Sequence, residues 1–225
     1  MKKFISVIII LIILFITANS LNEKAIYKNA NTDKKTVSLT FDDGPHPKKT
    51  TEILDVLKKH DVKATFFIIG INAEQHPDIV KRIIDEGHEI GNHTYSHNLK
   101  TKKTPTSEIE RLDEYINKSF GYKIKLYRPP GGIICQDTKK VSQELDYDVI
   151  LWNVDTKDWA HKSVTSIKNN VLKNVSCGSI ILMHDYITGE SNTADALEMI
   201  IPELKKEGYQ FLTVSELIEN KGYTS

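Results

Sequence analysis

Apolar positions along the chain follow two periods. Short runs rich in β-branched and aromatic residues, at 36–41, 63–68, 89–90, 123–127, 148–152, 179–183 and 210–214, read as strands. Between them the apolar residues recur at helical spacing. Ile53, Leu54 and Leu57 share one face, Ile79, Val80, Ile83 and Ile84 a second, and Leu197, Ile200, Ile201 and Leu204 a third. Thr50 or Thr51 can open the first of these helices, and Gly87 and Gly208 can close the other two. Strands alternating with helices predict parallel β/α units. Seven strand candidates fit in about 190 residues, and a full eight-unit barrel takes about 250. The expected fold is therefore α/β, a distorted (β/α)7 barrel forming a single catalytic domain, with an open doubly wound sheet as the alternative. No Gly/Ser/Pro-rich stretch divides the chain, and no internal repeat is present.

The N-terminal end breaks this pattern. Lys2 and Lys3 precede an apolar run over 4–18 that no polar face interrupts, ending in Ala18-Asn19-Ser20, which is the layout of an export signal. The run falls short of the roughly 20 residues that span a bilayer comfortably. Residues 1–20 are thus expected to be a signal peptide, or alternatively a retained membrane anchor. Residues 21–35 are polar and aperiodic and read as a tether, which leaves 36–220 for the folded domain. The protein is expected to be exported, either secreted or held at the cell surface.

Charge narrows the choice of partner. The chain has 225 residues with 30 Lys+Arg against 30 Asp+Glu. Without residues 1–20, which hold two Lys and no acid, the balance is 28 minus 30, or −2. Such a surface argues against nucleic acid, which selects a basic face.

The chemically capable residues nearly all follow strands. Asp42-Asp43 ends the first and precedes Gly44-Pro45. His93 and His97 follow the third, Arg128-Pro129-Pro130-Gly131-Gly132 the fourth, Asp155 and Asp158-Trp159 the fifth, and His184 the sixth. The C-terminal strand ends of a β/α barrel build its active site, whereas one open-sheet crevice would struggle to gather five contributions. Two His four apart can converge on one ion from a helical face or a tight turn. Two His and a carboxylate leave coordination positions open for water and substrate. The rigid Pro-Pro-Gly-Gly loop can offer backbone N–H groups to an oxyanion, Arg128 can hold a carboxylate, and Trp159 can wall a pocket or stack on a sugar. The zinc-protease motif H-E-x-x-H is absent, since His88-Glu89 is followed by His93 at the wrong spacing.

In that order, TFDDGP, HTYSH, RPPGG, DTKDW and IILMH resemble the five motifs of the polysaccharide deacetylases with the NodB-homology domain, carbohydrate esterase family 4. The resemblance runs from about Thr36 to Leu217. It implies a distorted (β/α)7 barrel that removes N-acetyl groups from glycans with a divalent metal, zinc in most members and cobalt or another divalent ion as the alternative. By motif position, Asp42 resembles the general base, and Asp43, His93 and His97 the metal ligands. Arg128 resembles the holder of Asp42, Asp158 the residue that orients His184, and His184 the general acid. The Gly131 N–H would face the oxyanion, with Trp159 lining the pocket and Leu182 meeting the acetyl methyl. Many members carry Tyr where this chain has Gly131, which removes one wall of the site. The implied substrate is an N-acetylglucosamine glycan, peptidoglycan or a chitin-like oligomer. A MurNAc deacetylase and an O-acetyl esterase acting on acetylxylan are the alternatives. A non-catalytic glycan-binding relative would lack a base, ligand or acid, and none is missing. The protein is expected to be a monomer that meets a membrane only through an uncleaved N-terminal segment. Cys135 lies after one strand and Cys177 before another, at opposite barrel ends, so both are expected to be free thiols.

Overall fold

One curled sheet of parallel strands organises the chain in a computed structural model that describes residues 26–98 and 106–219. The readings made above for residues 1–25 lie outside the described residues. The strands are β1 (Ile26–Tyr27), β2 (Thr36–Asp42), β3 (Thr65–Ile68), β4 (Glu89–Asn92), β5 (Leu126–Tyr127), β6 (Asp148–Ile150), β7 (Val154–Asp155), β8 (Ser179–His184) and β9 (Gln210–Phe211). Their order is β1-β6-β5-β4-β3-β2-β8-β7, with β9 pairing on β2. The helices are α1 (Lys49–Lys59), α2 (Gly70–Gln75), α3 (Pro77–Asp85), α4 (Thr106–Phe120), α5 (Gln136–Glu144), α6 (Val164–Asn174), α7 (Thr193–Lys206) and α8 (Val214–Glu219). Among the described residues no helix is long and apolar enough to cross a membrane.

Every residue of β2 is buried, as expected for a parallel strand covered on both faces. Alternate residues serve the two faces. Phe66, Tyr127, Val149 and Ile181 pack with the apolar stripes of α1, α3 and α7, while Phe67, Leu126, Ile150 and Ile180 pack with Leu217 and Ile218 of α8. The helical faces read from the sequence are the ones buried, except that Ile84 is only partly covered.

Two elements differ from the expectation. The candidate at 148–152 ends as β6 at Ile150, and a further strand that was not expected, β7, follows it at Val154–Asp155, because the chain leaves β6 and crosses to β8. There β7 pairs Val154 with Ile181 and Asp155 with Leu182. Asn153 makes the crossing: its N–H donates to the Ile180 carbonyl at 3.2 Å and its Oδ1 accepts from the Ile180 N–H at 2.9 Å. Asp155 and Asp158 thus extend from β7, beside the strand that carries His184. Part of the expected tether also joins the sheet. Ile26 and Tyr27 pair with Val149 and Ile150 of β6, and the Ala30 N–H donates to the Gly178 carbonyl at 2.8 Å. This segment links the β6 edge to the start of β8. It needs Gly178, whose φ is +77° and whose hypothetical Cβ would lie 2.1 Å from the Ala30 carbonyl oxygen. Both cysteines are free.

His88, at the start of β4, is a buried neutral imidazole that accepts the Ala64 N–H on Nδ1 at 3.2 Å. Burial, with Lys63 nearby, pushes its pKa down to about 4. The unfolded chain therefore binds more protons between pH ~6.5 and ~4, so stability falls as pH drops through that window, by about 3 kcal/mol in all. Urea midpoints at neutral and acid pH should show this acid loss in the parent chain and a shallower one in His88→Gln. Equal slopes would mean that His88 does not titrate in that window.

Candidate active site and metal centre

The site sits at the C-terminal end of the sheet, where β2 and β8 lie in register with Asp42 opposite His184. Asp42 is buried, and its Oδ1 accepts from Arg128 Nη1 at 2.6 Å. Arg128 is wholly buried, and three more of its N–H groups are taken by neighbouring groups. Nη1 reaches Thr40 Oγ1 at 2.9 Å, Nε the Ile150 carbonyl at 3.2 Å and Nη2 the Leu151 carbonyl at 3.1 Å. Its guanidinium lies 4.0 Å from the Phe67 ring centroid. Both partners of this ion pair are thus fixed, and Asp42 keeps Oδ2 toward the site.

Asp43 turns the other way because its backbone is left-handed, with φ 79°. The Asn72 side chain of α2 holds its carbonyl at 2.7 Å. His93 follows β4 and donates from Nδ1 to the Arg128 carbonyl at 2.7 Å. A carbonyl only accepts, so Nδ1 carries the proton and the neutral ring offers a lone pair on Nε2. That atom lies 3.4 Å from Asp43 Oδ1, and His97 Nε2 lies 3.3 Å from the same oxygen. Neither approach makes a hydrogen bond, which leaves Asp43 Oδ1 buried without one. One oxygen and two imidazole nitrogens within 4.8 Å of one another suit a divalent cation. The orphaned carboxylate oxygen and the tautomer of His93 fit the same ion. Burial opposes ionisation of Asp43, but His93, His97 and His184 outweigh it and hold the carboxyl below its ordinary pKa.

The His93–His97 segment is a turn and not a helix. Thr94 and His97 are left-handed, with φ 72° and 51°. Asn92 Oδ1 accepts from the Thr94 N–H at 2.8 Å, and Thr94 Oγ1 accepts from the His97 N–H at 3.0 Å. Glu108 of α4 accepts from both the N–H and the hydroxyl of Ser96, at 2.8 and 2.7 Å. Spacing alone did not reveal Asn92, Thr94 or Glu108, which act through backbone groups.

On the opposite wall, Asp158 collects four donors. Oδ1 accepts from His184 Nδ1 and the Trp159 N–H, each at 2.9 Å. Oδ2 accepts from the His184 N–H at 2.8 Å and from Thr193 Oγ1, at the start of α7, at 2.9 Å. Burial disfavours the His184 imidazolium, but Asp158, with Asp42 and Asp43 beyond it, pushes its pKa up to about 9. Leu182 is buried on β8 two residues before His184, and Trp159 is 51% exposed at the rim. Gly131 lies in the turn after β5 at φ 64°, a conformation that favours glycine, and its N–H makes no hydrogen bond among the described residues. All ten residues singled out in the sequence therefore lie on this end of the sheet. Asp185, next to His184, is a further buried acid, whose pKa burial pushes up to about 7.

A family model described as polysaccharide deacetylase matches residues 29–150. A peptidoglycan-N-acetylglucosamine deacetylase of Bacillus cereus is 43% identical, over 84% of this chain and 91% of the relative. Among solved structures, the Bc1960 peptidoglycan N-acetylglucosamine deacetylase, in complex with 4-naphthalen-1-yl-N-oxidanyl-benzamide, superposes with a TM-score of 0.84. It is 43% identical and covers 88% of this chain and 95% of that one. A family 4 acetyl xylan esterase from Clostridium thermocellum, in complex with a cobalt ion, gives a TM-score of 0.76 at 34% identity. It covers 84% of this chain and 92% of its own.

Proposed function

The chain belongs to the polysaccharide deacetylase family, and from that premise we propose that it is an exported, monomeric, zinc-dependent enzyme that removes the N-acetyl group from N-acetylglucosamine residues of peptidoglycan. The observation that carries the reading is the pair of walls facing each other across β2 and β8. One holds a fixed carboxylate beside a three-donor cation site, and the other holds an imidazole bound to the Asp158 carboxylate. The Bacillus cereus relative supports the choice of glycan, and the apolar run at 4–18 supports export.

Amide hydrolysis needs an activated water, a place for the developing negative charge and a proton for the departing nitrogen. Asp43, His93 and His97 would hold the divalent ion, which when bound polarises the acyl oxygen and acidifies water toward pKa ~7. Asp42 takes the proton of the attacking water on Oδ2, because Oδ1 is committed to Arg128. The Gly131 N–H donates to the oxyanion, a contact worth about 3–4 kcal/mol in comparable sites. As the C–N bond breaks, His184 gives its Nε2 proton to the sugar nitrogen, and Asp158 holds the ring by Nδ1. Acetate and a free amine result. Leu182 and Trp159 bound the space for the acetyl methyl and the sugar.

Asp158→Asn removes the charge that keeps His184 protonated, so the alkaline limb of the kcat/KM profile is expected to move to lower pH. An unmoved limb would assign that limb to another group. The function itself is tested by incubating zinc-loaded protein with peptidoglycan, digesting with a muramidase and weighing the fragments. Loss of acetyl from GlcNAc is expected. Acetyl loss confined to MurNAc would redirect the reading to that sugar. The likeness to an acetyl xylan esterase favours one second reading, and acetate released from acetylxylan but from no N-acetylated glycan would establish it.

A further inference from the structure

Asp185 has no part in the chemistry just derived, yet it is 1% exposed, and every polar atom it carries beyond its own carbonyl is engaged with the end of β2, the turn after it or the first turn of α1. Oδ1 accepts from the Gly44 N–H at 2.9 Å, Oδ2 accepts from Thr50 Oγ1 at 2.7 Å, and its own N–H donates to the Asp42 carbonyl at 3.2 Å. Thr50 is held in turn, since its hydroxyl oxygen accepts from the His46 N–H at 2.7 Å. Among the described residues no cation pairs with Asp185. A buried carboxylate without a counter-charge is costly, so a domain stabilised only by packing would do better with an apolar residue here.

The geometry shows what this carboxylate achieves. Its bonds grip the peptide groups on both sides of Asp43, the residue held at φ 79°. That conformation costs a non-glycine residue some strain, which the surrounding contacts must offset. The grip also explains Gly44, where a Cβ would lie 2.0 Å from Asp185 Oδ2. Because Asp185 follows His184 directly, one strand end sets both the acid and the turn carrying the base and a metal ligand.

We propose that Asp185 is a positioning residue that pins the Asp42–Asp43–Gly44 turn to β8 and so keeps the carboxylates of Asp42 and Asp43 in place relative to His184. This rests on the roles proposed above for those three residues.

The test uses the full chain and the variants Asp185→Ala, Asp185→Asn, Thr50→Val and Gly44→Ala. Zinc affinity is read by competition with a chromophoric chelator, kcat and KM on a chitooligosaccharide, and the melting midpoint without zinc. Asp185→Ala is expected to weaken zinc binding and lower kcat by about 10–100-fold each, with KM changed less than about threefold. Asp185→Asn keeps an acceptor for the Gly44 N–H and should recover most of both losses, and Thr50→Val should fall between. Gly44→Ala alone should damage the site, but added to Asp185→Ala it should cost little more, because the colliding carboxylate is gone. Parental zinc affinity and kcat in Asp185→Ala, with only a lower melting midpoint, would overturn the proposal. Should Asp185→Ala not fold, parental zinc affinity in Thr50→Val overturns it instead. If the parent chain releases no acetate, the functional reading falls, and the zinc affinities alone still decide the positioning role.

Discussion

Asp42→Asn is expected to bind zinc as tightly as the parent chain while turning over about 10²–10⁴-fold more slowly, the range for removal of a general base. The two effects separate because Asp42 and Asp43 point apart. Asp43 lends its orphaned oxygen to the cation site, whereas Asp42 is bound to Arg128. The substitution also has a stability signature. Arg128 is wholly buried and Asp42 supplies its counter-charge, and breaking a buried pair by removing one partner costs about 3–5 kcal/mol. A lower unfolding midpoint should therefore accompany the lost turnover. Near-parental kcat in Asp42→Asn would place the base elsewhere, and lost zinc would make Asp42 a ligand.

His97→Ala is expected to lose zinc and turnover together. Its imidazole is 24% exposed at the side chain, so truncation leaves the core intact and the folded protein can be assayed. Only Asp43 and His93 would then remain to hold the ion. Zinc affinity should fall by more than about 100-fold, beyond the 10–100-fold typical of residues that merely support a ligand. Parental zinc affinity in this variant would contradict its assignment as a ligand. Contrasted with Asp42→Asn, it distinguishes a group that holds the ion from one that moves a proton.

The reasons some features were legible from the sequence and others were not are physical. β8 is buried up to His184 and reads as a continuous apolar run, Ile180 to Met183, while β2 alternates Val37, Leu39 and Phe41 with Thr and Ser; both patterns stand out. β1 and β7 have two residues each, too few for any period to show. Their pairing comes from long-range crossings, of Ala30 onto Gly178 and of Asn153 onto Ile180. The site divides along the same line. The groups with chemistry of their own follow strands and could be read, but the four-residue spacing of His93 and His97 left helix and turn both open. The left-handed Thr94 and His97 make it a turn. The supporting residues come from other elements: Glu108 holds Ser96 from α4, and Thr193 holds Asp158 from α7. No local pattern connects those pairs. Asp185 is different, because a charged residue directly after an apolar strand and beside His184 was a visible signal.

The most direct measurement is a zinc titration of metal-free protein while acetate release from an N-acetylglucosamine oligomer is followed. The expected result is no release without metal, then a linear rise that levels off at one zinc per chain, with the product oligomer one acetyl group lighter. Acetate release that is as fast in metal-free protein, or no release from any N-acetylated glycan at full zinc occupancy, would contradict a zinc-dependent deacetylase at this site.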